Sequence, residues 1–186
     1  MTGEDFYEDT EAYEGSVEYM YLDSRGFPTC GVGQLINSAE AAQALNWTID
    51  GRDARADEIQ HDWNHIVAMK DVEEVMKRRA ARYYRGASVC RMSADEIKRV
   101  CVARLDDEFI PGLRKLVDGF DDLPEGAQRA LVDMAYNLGL GGLHKFTHFL
   151  GAVRSSDWEA AAQQCHRATC RQDRNDWTAA QLQSCV

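Results

Sequence analysis

The fold of this chain is decided by a stretch shortly after Glu14, which reads Tyr21-Leu22-Asp23-Ser24-Arg25-Gly26-Phe27-Pro28-Thr29-Cys30-Gly31-Val32-Gly33-Gln34-Leu35-Ile36. Its glycines stand where a hairpin needs left-handed dihedrals or a close backbone approach. Glu14 is expected to close a first helix. Asp23 follows nine residues later at the entry to the hairpin, and Thr29 six residues after that. This spacing indicates an active site.

Glu14, Asp23 and Thr29 are residue types that can together hydrolyse a glycosidic bond. One carboxylic acid protonates the leaving oxygen, while the second carboxylate and the hydroxyl hold a water molecule. A Glu and an Asp at this spacing are by themselves more often solvated surface charges. The added hydroxyl and the Gly31-Val32-Gly33 turn favour catalysis instead.

Length and composition are typical of one soluble globular domain, in one or two lobes. The chain has 186 residues, of which 45% are hydrophobic and 28% charged. No apolar run approaches the roughly 20 residues that span a bilayer, so membrane insertion is not expected. The net charge of −10 argues against nucleic acid as a partner. The basic run Lys77-Arg78-Arg79, with Arg82 and Arg85, is interpreted as a solvated helix face.

Apolar periodicity predicts a mainly helical domain with one small β-hairpin. Asn37-Ser38 reads as a helix cap, Asp50-Gly51 as a turn, and Ser93-Ala94-Asp95-Glu96 as a capping box. Residues 1–13 are expected to form a loosely held lead-in. Helices are expected over residues 39–45, 61–85, 97–105, 113–117, 125–138, 143–153, 156–168 and 179–183, with an interruption at 109–112.

Six cysteines favour disulfides and an oxidising compartment such as the periplasm, with buried free thiols as the alternative. Cys185 could pair with Cys165 or Cys170, and Cys90 with Cys101. No Cys-x-x-Cys pair is present, which argues against a zinc ribbon.

Two histidine pairs, His61/His65 and His144/His148, have the spacing that can bind a metal on a helix face. Neither pair has an intervening Glu or an obvious third ligand. No metal and no cofactor are therefore predicted.

The stretch from Glu14 to Leu35 resembles the phage-type lysozymes and endolysins of glycoside hydrolase family 24, which share this spacing of Glu, Asp, Thr and Gly-x-Gly. A second block agrees in order: Ala130-Leu131-Val132-Asp133-Met134-Ala135-Tyr136-Asn137-Leu138-Gly139, then Lys145-Phe146-Thr147 and Trp158-Glu159-Ala160-Ala161. The resemblance implies an α+β, mainly helical, lysozyme-like catalytic domain over residues 14–186. A small β-hairpin lobe and a helical lobe are expected within it.

The resemblance implies Glu14 as general acid, Asp23 as the carboxylate that positions or activates water, and Thr29 as the hydroxyl that helps to hold that water. The implied reaction is hydrolysis, with inversion, of the β-1,4 bond between N-acetylmuramic acid and N-acetylglucosamine in peptidoglycan. Inversion needs carboxyl groups roughly 6.5–9.5 Å apart, and the acid must lie in a partly desolvated site. Family members commonly pair this Glu with an Arg, for which Arg174 or Arg171 is the candidate.

The family's glycan contacts fall on Leu35, Tyr136, Phe149 and Gln164 of this sequence. Tyr136 suits a sugar best, because it offers both a ring face and a hydroxyl. Asn137, in the aromatic-Asn-x-Gly motif, is expected to support the site.

Three features depart from the family pattern. Gln34 stands where many members have His, so a supporting ion pair is in doubt. Cys30 beside Thr29 is expected to be a reactive thiol or half of a disulfide. Residues 45–92 form a longer helical insertion than in compact members. It carries Trp47, Trp63 and the basic run, and it is expected to extend the cleft or bind a partner.

Two other functions stay open. A lytic transglycosylase needs the Glu but not the Asp and Thr, and a non-catalytic lysozyme-like module would bind peptidoglycan without cleaving it. A monomer is expected, acting in the periplasm or cell wall of a target bacterium. The first residues lack the basic and apolar regions of a secretory signal. Holin-type release of an endolysin, or delivery of an antibacterial effector by a secretion system, is therefore expected, with an immunity protein or a delivery component as a partner.

Overall fold

The structure is a computed structural model that describes residues 1–71 and 80–186. Its mainly helical architecture with a small antiparallel sheet confirms the α+β class. The chain divides into two compact units. The sheet unit comprises Glu14–Cys101, and the helical unit comprises Met1–Tyr13 with Val102–Val186. Within the described ranges, no helix is both long and apolar enough to cross a membrane.

The chain begins with helix α1 (Gly3–Glu14), whose last residue opens the sheet unit. The elements that follow are β1 (Val17–Leu22), β2 (Pro28–Gly31), β3 (Gln34–Leu35), α2 (Ala39–Gln43), β4 (Thr48–Ile49), β5 (Arg52–Asp53), α3 (Ala56–Ala68), 3₁₀ turns at Met69–Asp71 and Ala81–Tyr84, and α4 (Ala94–Arg104).

The helical unit continues from the end of α4. Its elements are a π-helical turn (Leu105–Phe109), α5 (Ile110–Leu116), a 3₁₀ turn (Phe120–Asp122), α6 (Glu125–Leu138), α7 (Leu140–Leu143), α8 (Thr147–Arg154), α9 (Trp158–Gln164) and α10 (Gln172–Gln183). The expected interruption at 109–112 is thus a π-helical turn that runs directly into α5, with Pro111 in the first turn, where its missing N–H costs nothing.

The core of the sheet unit lies between the three-stranded sheet and α3. Met20 and Leu22 of β1 are at most 1% exposed. Helix α3 contributes Ile59, Asp62 and Ile66, whose spacing puts them on one helix face. The buried Asp62 carboxylate accepts hydrogen bonds from Ser88 Oγ at 2.8 Å and from the Cys90 amide at 2.9 Å, so it anchors the chain that returns from the insertion.

The insertion contains a two-stranded hairpin as well as helix. Asp50 and Gly51 both have positive φ, as a two-residue hairpin turn requires. Helix α3 starts at Ala56, earlier than the sequence predicts, and the Arg55 amide donates to Glu58 at 2.9 Å, as at a capped start. Trp47 is a core residue, because it is 3% exposed and its indole donates to the Ala42 carbonyl.

The predicted helix over residues 61–85 is described only in part. Helix α3 ends at Ala68 and is followed by the 3₁₀ turn at Met69–Asp71. The next described element is the 3₁₀ turn at Ala81–Tyr84. Lys77-Arg78-Arg79 of the expected basic face lies outside the described residues. Arg82 and Arg85 are exposed, as the interpretation of a solvated face requires.

Helix α6 is the centre of the helical unit, since most residues from Ala127 to Tyr136 are buried. It packs against α10, and a Cβ at Gly126 would lie only 2.2 Å from the Gln181 carbonyl oxygen, so this close approach needs glycine. The first thirteen residues pack into the same unit. Phe6 is buried, and Arg129 pairs with Asp9.

The expected disulfides are wrong, because all six cysteines lie in the described chain and all are free thiols. Cys165 Sγ donates to the Ala162 carbonyl at 3.2 Å, and Cys185 Sγ to the Gln181 carbonyl at 3.4 Å. Both thiols therefore satisfy the carbonyls of their own helical segments. Cys90 is likewise unbridged, and burial, followed by the Asp62 carboxylate, raises the pKa of its thiol.

Candidate active site

Sheet register brings three side chains into one row. Tyr21 of β1 pairs directly with Thr29 of β2, and Thr29 pairs with Leu35 of β3. Residues directly opposite each other in antiparallel strands place their side chains on the same face. The predicted catalytic hydroxyl therefore has a predicted glycan contact on one side and a tyrosine on the other.

Asp23 sits in a tight turn and uses its two carboxylate oxygens differently. Oδ1 accepts hydrogen bonds from the backbone amides of Arg25 and Phe27, each at 2.8 Å. Oδ2 lies 3.5 Å from Arg25 Nε, and the side chain is 20% exposed. One oxygen thus fixes the turn, while the other remains able to accept a proton.

Thr29 is attached to the same turn. Its Oγ1 donates to the Phe27 carbonyl at 2.9 Å, and the Asp23 amide donates to that carbonyl at 2.9 Å. The hydroxyl is buried, at 2% exposure for the residue. Because its proton is engaged, Thr29 Oγ1 can offer a lone pair to a water hydrogen.

Tyr21 links Glu14 electrostatically to this group. Burial raises the pKa of the Tyr21 phenol most, and electrostatic interactions with Cys30, Asp23 and Glu14 raise it further. Glu14 is half-buried at the end of α1. Glu14 and Asp23 therefore both interact electrostatically with the Tyr21 phenol. The sequence did not single out Tyr21, since its spacing is unremarkable and only the strand register puts it opposite Thr29.

Two of the predicted glycan contacts in the helical unit line a common pocket of about 320 Å³. Phe149 and Gln164 share this pocket with Thr147, His148 and His166. Gln164 is exposed, whereas Phe149 is 1% exposed. The pocket adds two imidazoles that the sequence pattern did not identify as site residues.

Tyr136 is more enclosed than a surface sugar platform. It is 8% exposed, its ring centroid lies 4.9 Å from that of Phe109, and the Arg104 guanidinium lies 5.0 Å from its centroid. Asn137 follows it at an exposed position near the end of α6. The neighbouring residues of the aromatic-Asn-x-Gly motif thus differ sharply in exposure.

Comparison with protein families decides the assignment. The phage lysozyme model matches residues 11–178, which include both motif blocks and the insertion. The chain belongs to the phage lysozyme family. Family membership implies a glycoside hydrolase of the cell-wall type, acting on peptidoglycan. No curated protein compared with the chain matches it.

The two arginines considered as partners of the phage lysozyme acid differ clearly. Arg171 is exposed and its Nε donates to Asp173 at 3.0 Å. Arg174 is 4% exposed, its Nε donates to Asp133 at 2.6 Å, and its guanidinium lies 5.5 Å from the ring of Tyr13, which precedes Glu14 in sequence. Of the two candidates, Arg174 is therefore the buried one.

Both departures inside the phage lysozyme motif have a structural account. Cys30 is fully buried and unbridged, and burial raises the pKa of its thiol to about 12. The expectation of a reactive thiol or disulfide at Cys30 is therefore wrong, since reactivity requires the thiolate. Gln34 donates to the Leu35 carbonyl at 2.9 Å, and the turn before it is made with Gly31 and Gly33 at positive φ.

Among residues 1–71 and 80–186, no cluster of three His, Cys, Asp or Glu side chains could hold a metal ion. His61 and His65 are exposed on α3, and His144 and His148 are exposed around the start of α8.

Proposed function

We propose that this chain is a peptidoglycan muramidase that hydrolyses the β-1,4 bond between N-acetylmuramic acid and N-acetylglucosamine, with inversion. The observation that carries the proposal is the turn at Phe27. Its carbonyl engages Thr29 Oγ1 and the Asp23 amide, while its own amide engages Asp23 Oδ1. These contacts leave acceptor capacity on Asp23 Oδ2 and on Thr29 Oγ1, which supports the proposal that the two oxygens hold a single water.

In the proposed reaction, Glu14 donates its proton to the glycosidic oxygen as the bond from muramic C1 to that oxygen breaks. The water attacks C1 from the opposite face of the ring. Asp23 Oδ2 takes one of its protons, and Thr29 Oγ1 accepts a hydrogen bond from the other. The product is a muramic acid reducing end of α configuration. Exchange with solvent then restores the proton on Glu14 and removes it from Asp23.

Glycan contacts are proposed at Leu35, beside Thr29 in the sheet, and at Tyr136, Phe149 and Gln164 in the helical unit. Arg174 and Asn137 are proposed as supporting residues. The shared pocket of Phe149 and Gln164 favours a common role for these two.

The proposed setting is the cell wall of a target bacterium, reached either as an endolysin after holin-type release or as an effector delivered by a secretion system. An immunity protein or a delivery component would be the partner in the second case. The net charge of −10 supports local rather than bulk electrostatic binding of an anionic wall.

Digestion of purified peptidoglycan with product analysis tests the proposal. The wild type should release muropeptides with reducing muramic acid ends, and Glu14→Gln should release almost none. Glu8→Gln, an exposed position on the same helix, is the matched control and should behave like the wild type.

Products ending in 1,6-anhydromuramic acid would identify a transglycosylase and refute hydrolysis. Binding without any cleavage by the wild type would identify a binding module. Full activity in Glu14→Gln would remove Glu14 from the acid role.

A further inference from the structure

A pocket of about 340 Å³ opens in the sheet unit beside the Asp23 turn. Its walls are formed by the hairpin turn and by α3 of the insertion. They include Leu22, Phe27, Pro28, Trp63, Val67 and Lys70. We call this the Trp63 pocket. The proposed reaction assigns no role to it.

The aromatic walls of the Trp63 pocket are held in place. The Trp63 indole donates to the Ile36 carbonyl at 2.8 Å, which pins the half-buried ring to the end of the hairpin. Phe27 is 42% exposed, so much of its ring is accessible to solvent. The pocket is therefore an apolar surface that is already formed and open to solvent.

Lys70 places a cation at this apolar surface. Its stem passes so close to Gly26 that a Cβ there would lie 3.3 Å from Lys70 Cε. Its Nζ lies 5.6 Å from the centroid of the Phe27 ring, and the Arg25 guanidinium lies 5.2 Å from the same centroid. Cations near an aromatic face are stabilised by it, so this chain of net charge −10 presents a local positive site here.

Phe27 connects the Trp63 pocket to the catalytic turn. Its side chain forms a wall of the pocket, its amide donates to Asp23, and its carbonyl accepts from Thr29. A ligand in the pocket would thus lie against the residue that positions the two proposed water-binding groups.

We propose that the Trp63 pocket binds the carboxylate-bearing stem peptide of peptidoglycan, an inference that rests on the proposed function. A neutral sugar needs several polar partners for its hydroxyls. Within the described lining, Asn37 and Lys70 supply the unpaired polar side-chain groups, because the Trp63 indole is engaged. The stem peptide has short aliphatic groups, which suit the apolar walls of the pocket. It also has carboxylates, one of which can pair with the cation of Lys70.

Binding of soluble probes tests the pocket directly. The probes are N-acetylmuramyl-L-alanyl-D-glutamate and its diamide, which differ only in charge and contain no bond that the enzyme would cleave. Calorimetry should show that the wild type prefers the diacid. Lys70→Met should lower the affinity for the diacid by about fivefold, as expected for one partly exposed ion pair, and leave the affinity for the diamide unchanged.

Lys70→Arg keeps the cation and should keep diacid affinity. Lys115→Met removes an exposed lysine of α5 and serves as the matched control. Thermal midpoints of all variants verify folding. Added salt should weaken diacid binding to the wild type, which tests the charge without any substitution.

Equal affinity of the wild type for diacid and diamide would overturn the proposal, as would unchanged diacid affinity in Lys70→Met. These outcomes are distinct from failure of the proposed function. Absence of peptidoglycan cleavage by the wild type refutes the muramidase, whereas loss of charge preference with cleavage intact refutes only the pocket.

Discussion

The two carboxylate oxygens of Asp23 have different surroundings, which separate its observed structural task from its proposed catalytic one. Oδ1 is engaged by two backbone amides, and this arrangement is that of a common Asx turn. Thr29 Oγ1 and the Asp23 amide donate to the same Phe27 carbonyl. This shared acceptor is the reason why Oδ2 is proposed to act together with Thr29. The two tasks can be separated by substitution.

Asp23→Asn should lose activity but keep the turn. The amide oxygen can still accept from the Arg25 and Phe27 amides, whereas the group that takes the proton from water is gone. We expect kcat to fall by roughly 10²–10⁴-fold and the thermal midpoint to stay near that of the wild type. Labelled peptidoglycan gives kcat, and thermal unfolding gives the midpoint.

Asp23→Ala is the matched comparison, because it removes both tasks. It removes the side-chain acceptor of two backbone amides in an exposed turn and should lower the free energy of unfolding by about 0.5–1.5 kcal/mol. Asp23→Asn activity within tenfold of the wild type would rule out Asp23 as the base. Equal stability of the two variants would rule out the turn function of Oδ1.

At the scale of elements, a buried carboxylate joins the insertion to α4, which follows it in the chain. Glu96, in the first turn of α4, accepts from the Asn46 amide and from Asn46 Nδ2, both at 2.9 Å. Arg99 Nη2 donates to the same carboxylate at 2.6 Å. Within the insertion itself, the buried Asp62 carboxylate connects α3 to Ser88 and Cys90.

Glu96 should make the sheet unit sensitive to acid. Hydrogen bonding to Arg99, then to Asn46, lowers the pKa of Glu96 to about 2 against the opposing effect of burial. A lowered folded-state pKa gives stability that is complete above the unfolded value of about 4.5 and is lost as the pH falls towards about 2. The contribution is of the order of 3 kcal/mol.

Glu96→Gln should therefore lower the free energy of unfolding at neutral pH and flatten its decrease between about pH 4.5 and pH 2. Urea unfolding across this range measures both effects. Glu159→Gln, an exposed position on α9, is the control and should keep the wild-type slope. A wild-type slope in Glu96→Gln would show that other carboxylates govern acid unfolding.

Across the whole molecule, the six thiols predict how the protein responds to alkylation. Cys30, Cys90, Cys101 and Cys165 are buried, whereas Cys170 and Cys185 are partly exposed. Burial raises the pKa of Cys30 and Cys90 to about 12, so their thiols stay protonated. Native protein should be alkylated at Cys170 first and at Cys185 more slowly, because burial also raises the pKa of Cys185.

Mass spectrometry after iodoacetamide treatment, with and without denaturant, counts these groups. All six should react in denaturant without reductant, and reductant should leave the thermal midpoint unchanged. A protein that needs reductant before Cys90 or Cys165 reacts would contain a disulfide and would contradict the structure.

Local patterns in the sequence predict the fold class, the first helix ending at Glu14 and the family, because helical periodicity, caps and motif spacing are properties of short segments of the chain. The capping residue Ser38 and helix α6 with its end at Gly139 were predictable in this way. The environments of individual side chains depend on the tertiary structure. Trp47 and Trp63 read alike in sequence, yet one is core and the other lines a pocket. Strand register places Tyr21 opposite Thr29, and packing makes Phe27 a wall of the Trp63 pocket. Tertiary structure likewise leaves the six cysteines as free thiols. These properties depend on residues distant in sequence, so no local pattern predicts them.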